Sequence, residues 1–154
     1  MYIEKVNSPA DVKKLSVSEM NGLGGEIRQV LLNKLSSHGG HVGPNLGMVE
    51  ATIALHYVFD SPTDKIVYDV SHQSYTHKIL TGRRAAFMNA DEYDEVRIFR
   101  TVGKRARLLR HRAYLYLRQS GKRACKARDL KGETGNVIAV IGDGSLSGGE
   151  ASKD

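Results

Sequence analysis

Cysteine is nearly absent from this sequence, and long apolar runs are absent altogether. Because Cys125 is the only thiol in 154 residues, an intrachain disulfide and a thiolate metal cluster are both excluded, since each needs at least two cysteines. No uninterrupted apolar run reaches the roughly 18 residues of a membrane span. Charged residues interrupt Met1–Lys14, which therefore lacks a secretory h-region. These absences predict a cytoplasmic protein with no membrane partner.

Acidic residues are missing from one segment, residues 97–125, which holds eight of the twelve arginines and two lysines. The formal net charge of the whole chain is +6, yet the remaining residues carry 13 basic and 17 acidic side chains. The basic excess is therefore local, and a generally basic nucleic-acid binder is not the first interpretation. The length and the 40% hydrophobic content predict one small globular domain.

Hydrophobic spacing and turn residues predict helices in the first third of the chain. Ser16 or Ser18 can cap a helix whose apolar residues recur at helical spacing, and Met48–Phe59 forms a second, mostly apolar helix. Between them, residues 36–47 contain four glycines and a proline, which predicts a loop. The apolar residues of the first helix are Ile27, Val30, Leu31 and Leu35.

Two short apolar runs, Lys65–Val70 and Asn136–Ile141, predict strands. The second is nearly all apolar, as in a parallel strand that is buried on both faces. Helices that alternate with such strands predict an α/β fold with an open, mostly parallel sheet, in which ligands bind beyond the carboxyl ends of the strands. Candidate site residues follow both strands.

The second strand runs into the motif GDGSLSGG, residues 142–149. Glycines let the backbone approach a phosphate, and the carboxylate of Asp143 suits a hard cation such as Mg²⁺. The alternative is that Asp-Gly after a strand is merely a turn.

Histidines supply the second group of candidates. His38 and His41 lie in the glycine-rich loop and His72 follows the first strand, and imidazole suits proton transfer near neutral pH. The alternative for each is a solvated surface histidine. Lys78, Arg83 and Arg84 are cationic enough to meet a phosphate, but isolated charges more often form a solvated face.

Two long segments, residues 36–84 and 126–151, closely resemble one family. Their sequences are similar to the N-terminal part of 1-deoxy-D-xylulose-5-phosphate synthase. The motifs that carry the resemblance are SHGGHVGPNLG, DVSHQSYTHKILTGR and NVIAVIGDGSLSGGEA. This family of thiamine-diphosphate enzymes is related to transketolase, and a transketolase fragment is the alternative within the same class. The resemblance implies that residues 1–154 are a truncated N-terminal thiamine-diphosphate-binding domain, with an incomplete open, mostly parallel sheet.

The resemblance also implies a reaction and a set of roles. The family condenses pyruvate with glyceraldehyde 3-phosphate, releases CO₂ and supplies isoprenoid and thiamine precursors, using thiamine diphosphate and Mg²⁺ in a homodimer. By resemblance, Asp143 binds Mg²⁺, while Gly144 and Ser145 contact the diphosphate. His72 contacts cofactor and substrate, and His41 assists proton transfers near the reactive thiazolium carbon.

The sequence departs from the family in two places outside the basic segment. Ser71 replaces the glycine that precedes His72 in the family, which adds a Cβ at a turn. The printed sequence ends at Asp154, before the family's second Mg²⁺ ligand and the second thiamine-binding domain. We therefore expect the chain alone to be inactive.

The basic segment is the third departure, since the family has a GHTSTS loop and a helix of small residues there. If each codon is read one base later, with synonymous codons chosen freely, Arg97–Lys126 becomes a family-like string that contains GHTSTS. We infer a displaced reading frame, which the gene sequence tests. Because burial of so many arginines is prohibitive, residues 97–125 should be surface-exposed or disordered. The alternative, a module that binds nucleic acid or an acidic partner with Tyr114 and Tyr116, rests on an unspecific charge signal.

Overall fold

The computed structural model describes residues 1–89 and 116–146, which form two compact units. The first unit comprises Met1–Asp60 and the described residues from 72 to 89, and the second comprises Ser61–Ser71 and the described residues from 116 onward. In chain order the elements are α1 (Tyr2–Lys5), α2 (Pro9–Val12), α3 (Val17–His38), α4 (Val42–Gly47), α5 (Val49–Val58), β1 (Lys65–Tyr68), α6 (Tyr75–Lys78), an irregular helical turn (Ile79–Arg83), α7 (Ala85–Met88), α8 (Tyr116–Lys131), β2 (Val137–Val140) and α9 (Asp143–Leu146).

The long helix α3 begins with a reciprocal cap. The hydroxyl of Ser16 accepts from the backbone N–H of Glu19 at 3.3 Å, and the Glu19 carboxylate accepts from the N–H of Ser16 at 2.8 Å. This capping box satisfies two N–H groups at the helix end and confirms Ser16 as the cap. The helix continues through Gly24, where a Cβ would lie 3.4 Å from the Glu50 side chain of α5. The glycine allows the two helices to pack closely.

The predicted loop over residues 36–47 is wrong for part of its length. Helix α3 continues to His38, and residues 42–47 form the short helix α4. Gly39 and Gly40, with φ of 74° and 134°, connect the two helices in backbone conformations that favour glycine. Pro44 then lies in the first turn of α4, where its missing N–H is not needed.

The first unit has a continuous apolar core to which the helices α1, α2, α3, α5 and α6 contribute. Burial of these side chains is the main favourable contribution to its folding. The guanidinium of Arg84 also ties the first residues to this core, since it donates to the main-chain oxygens of Ile3, Glu4 and Val6. The buried cluster consists of Ile3, Val6, Val12, Leu23, Ile27, Leu31, Leu35, Val49, Ile53, Tyr75, Ile79, Leu80 and Phe87.

The second unit contains the sheet. Strands β1 and β2 pair in parallel, with Lys65 opposite Val137 and Tyr68 opposite Val140. The Asp64 carboxylate fixes this register, because it accepts from the backbone N–H of Asn136 at 2.6 Å. The predicted open parallel α/β class is thus confirmed, although both strands are shorter than the apolar runs suggested.

Strand β2 is less buried than its composition predicts. Val137, Ile138 and Val140 are half-buried, and Ala139 is exposed. The prediction of burial on both faces is wrong for the described structure, because the described elements cover the faces of this strand only in part. None of the helices in the described part of the chain is both long and apolar enough to cross a membrane.

The basic segment is only partly described. Residues 97–115 lie outside the described residues, and residues 116–125 belong to α8, where Lys122 and Arg123 are exposed. The prediction that the whole segment is exposed or disordered therefore stays a prediction, as do its displaced reading frame and the alternative binding module.

Candidate active site

Polar residues gather where the two parallel strands of the second unit end. The backbone N–H of Asp69, just after β1, donates to the carbonyl of Val140 at the end of β2. The buried Asp69 carboxylate in turn accepts from the hydroxyl of Ser145 at 2.7 Å. Asp69 was not predicted as a site residue, because it lies inside the predicted strand Lys65–Val70, whereas β1 ends at Tyr68. The contact orients the Ser145 hydroxyl.

The motif around Asp143 has an exposed carboxylate next to open space. Among the described residues, a Cβ at Gly142 or Gly144 would meet no atom within 4 Å. The backbone N–H of Gly144 donates to Asp143 Oδ1 at 2.8 Å, and that of Ser145 donates to the carbonyl of Gly142 at 3.0 Å. To bind a phosphate, these two N–H groups would have to give up their present acceptors, Asp143 Oδ1 and the Gly142 carbonyl, and donate to phosphate oxygens instead. The carboxylate and the space above the glycines suit a cation and a diphosphate.

A metal ion at Asp143 would need further ligands. Within residues 1–89 and 116–146, no three His, Cys, Asp or Glu side chains are grouped so that they could hold a metal ion. Asp143 is therefore a single candidate ligand in the described structure.

Two histidines from different motifs meet in the first unit. The rings of His41 and His72 pack edge to face, with centroids 5.3 Å apart and planes at 63°. His41 is the exposed residue that precedes α4, whereas the Nδ1 of His72 is buried and has no hydrogen-bond partner in the described structure. His38, at the end of α3, is not part of the pair, because its Nδ1 lies 3.3 Å from the carbonyl of Lys34.

Asn45, which the sequence reasoning did not single out, connects the two histidine segments. Its side chain is fully buried, and its amide nitrogen donates to the carbonyl oxygens of His41 and His72, each at 2.6 Å. Its amide oxygen accepts from the backbone N–H of Tyr75 at 3.0 Å. A polar residue between the apolar positions of a glycine-rich segment was the only sequence signal for this role.

The turn after β1 carries further buried polar atoms. Gln73 is 4% exposed, and neither atom of its amide group has a hydrogen-bond partner in the described residues. The same holds for the hydroxyl of Thr76 and for the His72 nitrogen noted above. Buried polar groups in native proteins are almost always hydrogen-bonded. These atoms therefore fit a bound group that supplies donors and acceptors.

The cationic residues after this turn do not form the solvated face that isolated charges usually form. Lys78 is 4% exposed, and burial, aided by the positive charge of Arg83, lowers its pKa to about 8. Its ammonium lies 5.5 Å from the centre of the Tyr75 ring. Arg84 has the structural role described above. The hypothesis that these cations meet a phosphate stays a prediction.

A second histidine pair, absent from the sequence reasoning, lies inside the first unit. His56 Nε2 and His77 Nδ1 are 2.9 Å apart, and the two rings are nearly parallel. Burial lowers the pKa of His56 to about 4. Burial, together with the charges of His56, Arg83 and Lys78, lowers the pKa of His77 to about 3. Both imidazoles are therefore neutral at physiological pH, and one of the two nitrogens donates to the other.

The comparison with protein families covers nearly the whole chain. The family described as 1-deoxy-D-xylulose-5-phosphate synthase matches residues 3–153. The chain belongs to the 1-deoxy-D-xylulose-5-phosphate synthase family. This match confirms the resemblance of residues 36–84 and 126–151, and it decides in favour of the synthase over a transketolase.

Similar curated proteins carry the same family name. The 1-deoxy-D-xylulose-5-phosphate synthases of Dictyoglomus turgidum and Dictyoglomus thermophilum are each 46% identical to the chain over 154 residues, which is 98% of this chain and 25% of each relative. The synthase of Caldanaerobacter subterraneus is 46% identical over 158 residues, 97% of this chain and 24% of the relative. The chain thus spans about a quarter of the length of these synthases.

Proposed function

We propose that this chain contributes part of the active site of a synthase that condenses pyruvate with glyceraldehyde 3-phosphate, releasing CO₂ and forming 1-deoxy-D-xylulose 5-phosphate. The observation that carries the proposal is the pairing of His41 with His72 in a chain of the synthase family. We expect the 154-residue chain alone not to catalyse the reaction.

The residues present fit thiamine diphosphate and Mg²⁺ in their chemistry. Asp143 offers an exposed carboxylate, a hard oxygen ligand of the kind that Mg²⁺ prefers. Gly144 and Ser145 would contact the diphosphate, and no atom of the described residues lies within 4 Å of a Cβ built at Gly144. The unpartnered Nδ1 of His72 suits a polar group of the cofactor or substrate. When bound, the cofactor supplies the carbon that adds to a ketone and accepts the electron pair left by loss of CO₂.

The chain's own residues would bind, orient and move protons. His41 is exposed, so its imidazole can take up or release a proton at a bound substrate. His72 is held against it and would donate or accept a hydrogen bond through its buried Nδ1. Asp69 would keep the hydroxyl of Ser145 in one orientation. The two histidines would thus assist proton transfer, and the oriented hydroxyl of Ser145 would contact the diphosphate.

A chimeric enzyme tests this function. Residues 1–154 are joined to the remaining three quarters of the Dictyoglomus thermophilum synthase, and product formation is measured with both substrates, thiamine diphosphate and Mg²⁺. His41→Ala and His72→Ala should each lower kcat by about 10²-fold or more, the usual contribution of a positioned acid or base. Asp143→Asn should raise the Mg²⁺ concentration needed for half-maximal rate.

Two controls make the chimera informative. His38→Ala removes an exposed histidine of the same segment that is not in the pair, so it should leave kcat unchanged. A second chimera takes residues 97–125 from the Dictyoglomus enzyme, which separates an effect of the basic segment from one of the histidines. Wild-type rates in both histidine variants would refute the proposed roles.

We also propose a cytoplasmic location and a homodimeric assembly of the complete synthase. The single thiol, the half-buried Cys125, is compatible with a reducing compartment. Light scattering of the active chimera tests the dimer, and a monomeric mass with full activity would contradict it.

A further inference from the structure

We propose that Asn45 is a positioning residue that fixes His41 and His72 relative to one another, an inference that rests on the function proposed above for these histidines. The side chain of Asn45 is fully buried, and it is the described group that hydrogen-bonds to both histidine segments.

The hydrogen bonds of Asn45 use its donors completely. An asparagine amide has two N–H donors and one carbonyl acceptor. The donors bind the main-chain oxygens of His41 and His72, which lie 4 and 27 residues away along the chain, and the oxygen binds the N–H of Tyr75, 30 residues away. One side chain therefore joins the start of α4 to the turn that precedes α6.

These bonds act directly next to the atoms that carry the imidazoles. Each acceptor is the carbonyl group of the histidine residue itself, so fixing it restrains the Cα from which the ring projects. The third bond ties the same amide to Tyr75, whose ring is 2% exposed and packs against Phe87 in the core. Asn45 thus links both histidines to the core of the first unit.

Two substitutions separate the positioning role from general stability. Asn45→Ala removes all three hydrogen bonds. Asn45→Asp keeps an oxygen for the N–H of Tyr75, but its second oxygen faces the carbonyls of His41 and His72: an ionised carboxylate donates to neither of them, and a protonated one to one of them at most. Asn45→Asp therefore disturbs the two histidine contacts while keeping the contact to Tyr75. An effect as large as that of Asn45→Ala assigns the positioning to the histidine contacts, and wild-type behaviour would assign it to the Tyr75 contact alone.

The first measurement uses the purified 154-residue chain. With ring centroids 5.3 Å apart, the ring protons of His41 and His72 should give a nuclear Overhauser effect in the wild-type chain. We expect this signal to be lost in both Asn45 variants and kept in Ile53→Val, a core substitution that lowers stability and leaves the three hydrogen bonds of Asn45 with their partners. Unchanged signals in folded Asn45→Ala and Asn45→Asp would overturn the proposal.

The second measurement uses the chimera and keeps the proposal testable if the short variants do not fold. Both Asn45 variants should lower kcat on the order of 10²-fold, because a small misplacement of reacting groups has that effect, with a much smaller change in KM for pyruvate. Wild-type kcat in both variants would refute the positioning role. If instead His41→Ala and His72→Ala remain fully active while the Overhauser signal depends on Asn45, the proposed function fails and the positioning inference stands.

Discussion

Acidification should destabilise the first unit through the buried pair of His56 and His77. Both imidazoles have folded-state pKa values below the ordinary 6.5, at about 4 and about 3, because burial disfavours their charged forms. Arg83 and Lys78 lower the pKa of His77 further by charge repulsion. Above pH 6.5 the pair is neutral in both states and has no effect on the pH dependence of stability. As the pH falls below 6.5, the unfolded chain binds protons that the folded chain does not.

The size of the effect follows from the linkage between proton binding and folding. Each extra proton bound by the unfolded state lowers the free energy of unfolding by about 1.4 kcal/mol per pH unit. Between pH 6.5 and about pH 5, one histidine therefore contributes a loss of about 2 kcal/mol, and the pair about 4 kcal/mol if the two titrate independently. Typical domains have only about 5–15 kcal/mol in total, so the loss should be large enough to measure.

Urea unfolding followed by circular dichroism between about pH 8 and pH 5 measures this loss. His77→Asn and His56→Gln are matched variants, because each places an amide near the imidazole nitrogen of the mutual hydrogen bond while removing one titrating group. Each variant should lose about 2 kcal/mol less than the wild-type chain on acidification. This interval lies above the ordinary carboxyl pKa values, so carboxylates contribute little. Parallel stability curves for wild type and both variants would refute the reasoning.

Two further predictions concern stability. Ser71 has φ of 68°, in the left-handed region that disfavours a Cβ, so Ser71→Gly should raise the free energy of unfolding by about 1 kcal/mol in chemical denaturation, whereas Ser71→Ala should give no gain. Arg84 binds the carbonyls of Ile3 and Val6, so Arg84→Met, which keeps the apolar stem, should lower the free energy of unfolding by about 2 kcal/mol. The donor is Nη1 in each bond, one bond farther from the backbone than a lysine ammonium, so Arg84→Lys keeps the charge but should restore only part of the stability. A full rescue by lysine would contradict this explanation.

Elements that depend on neighbouring residues could be predicted from the sequence. Ser16 and Glu19 have the spacing of a capping box, and α3 begins there. The apolar runs at Lys65–Val70 and Asn136–Ile141 became paired parallel strands. The ends of β1 could not be predicted from its composition, because Val70 and Ser71 adopt φ of 57° and 68°, which β-branched and non-glycine residues rarely do.

Contacts between distant residues could not be predicted in the same way. Helix α4 was not predicted, because a high glycine content indicates only that the backbone can adopt unusual angles. Which of the glycines adopt such angles depends on the tertiary fold. The pairs His56–His77 and Asp69–Ser145 join residues 21 and 76 positions apart, and no local pattern encodes which polar side chains will meet. The sequence therefore predicted which residue types belong to the candidate site, but it did not predict the residues that orient them, such as Asn45 and Asp69.

Substitution of His41 or His72 removes a ring without removing the hydrogen bonds that support it. Asn45 binds their carbonyl oxygens and leaves their rings free of this network, so any residue at either position offers the same acceptor. Replacing an imidazole therefore leaves the supporting hydrogen bonds in place, and a loss of rate in those variants reports the chemistry of the ring. Replacing Asn45 does the reverse, since both rings stay and their support is lost. A triple variant of His41, His72 and Asn45 should then lose little more rate than the double variant His41→Ala, His72→Ala, because the support matters only while a ring is present.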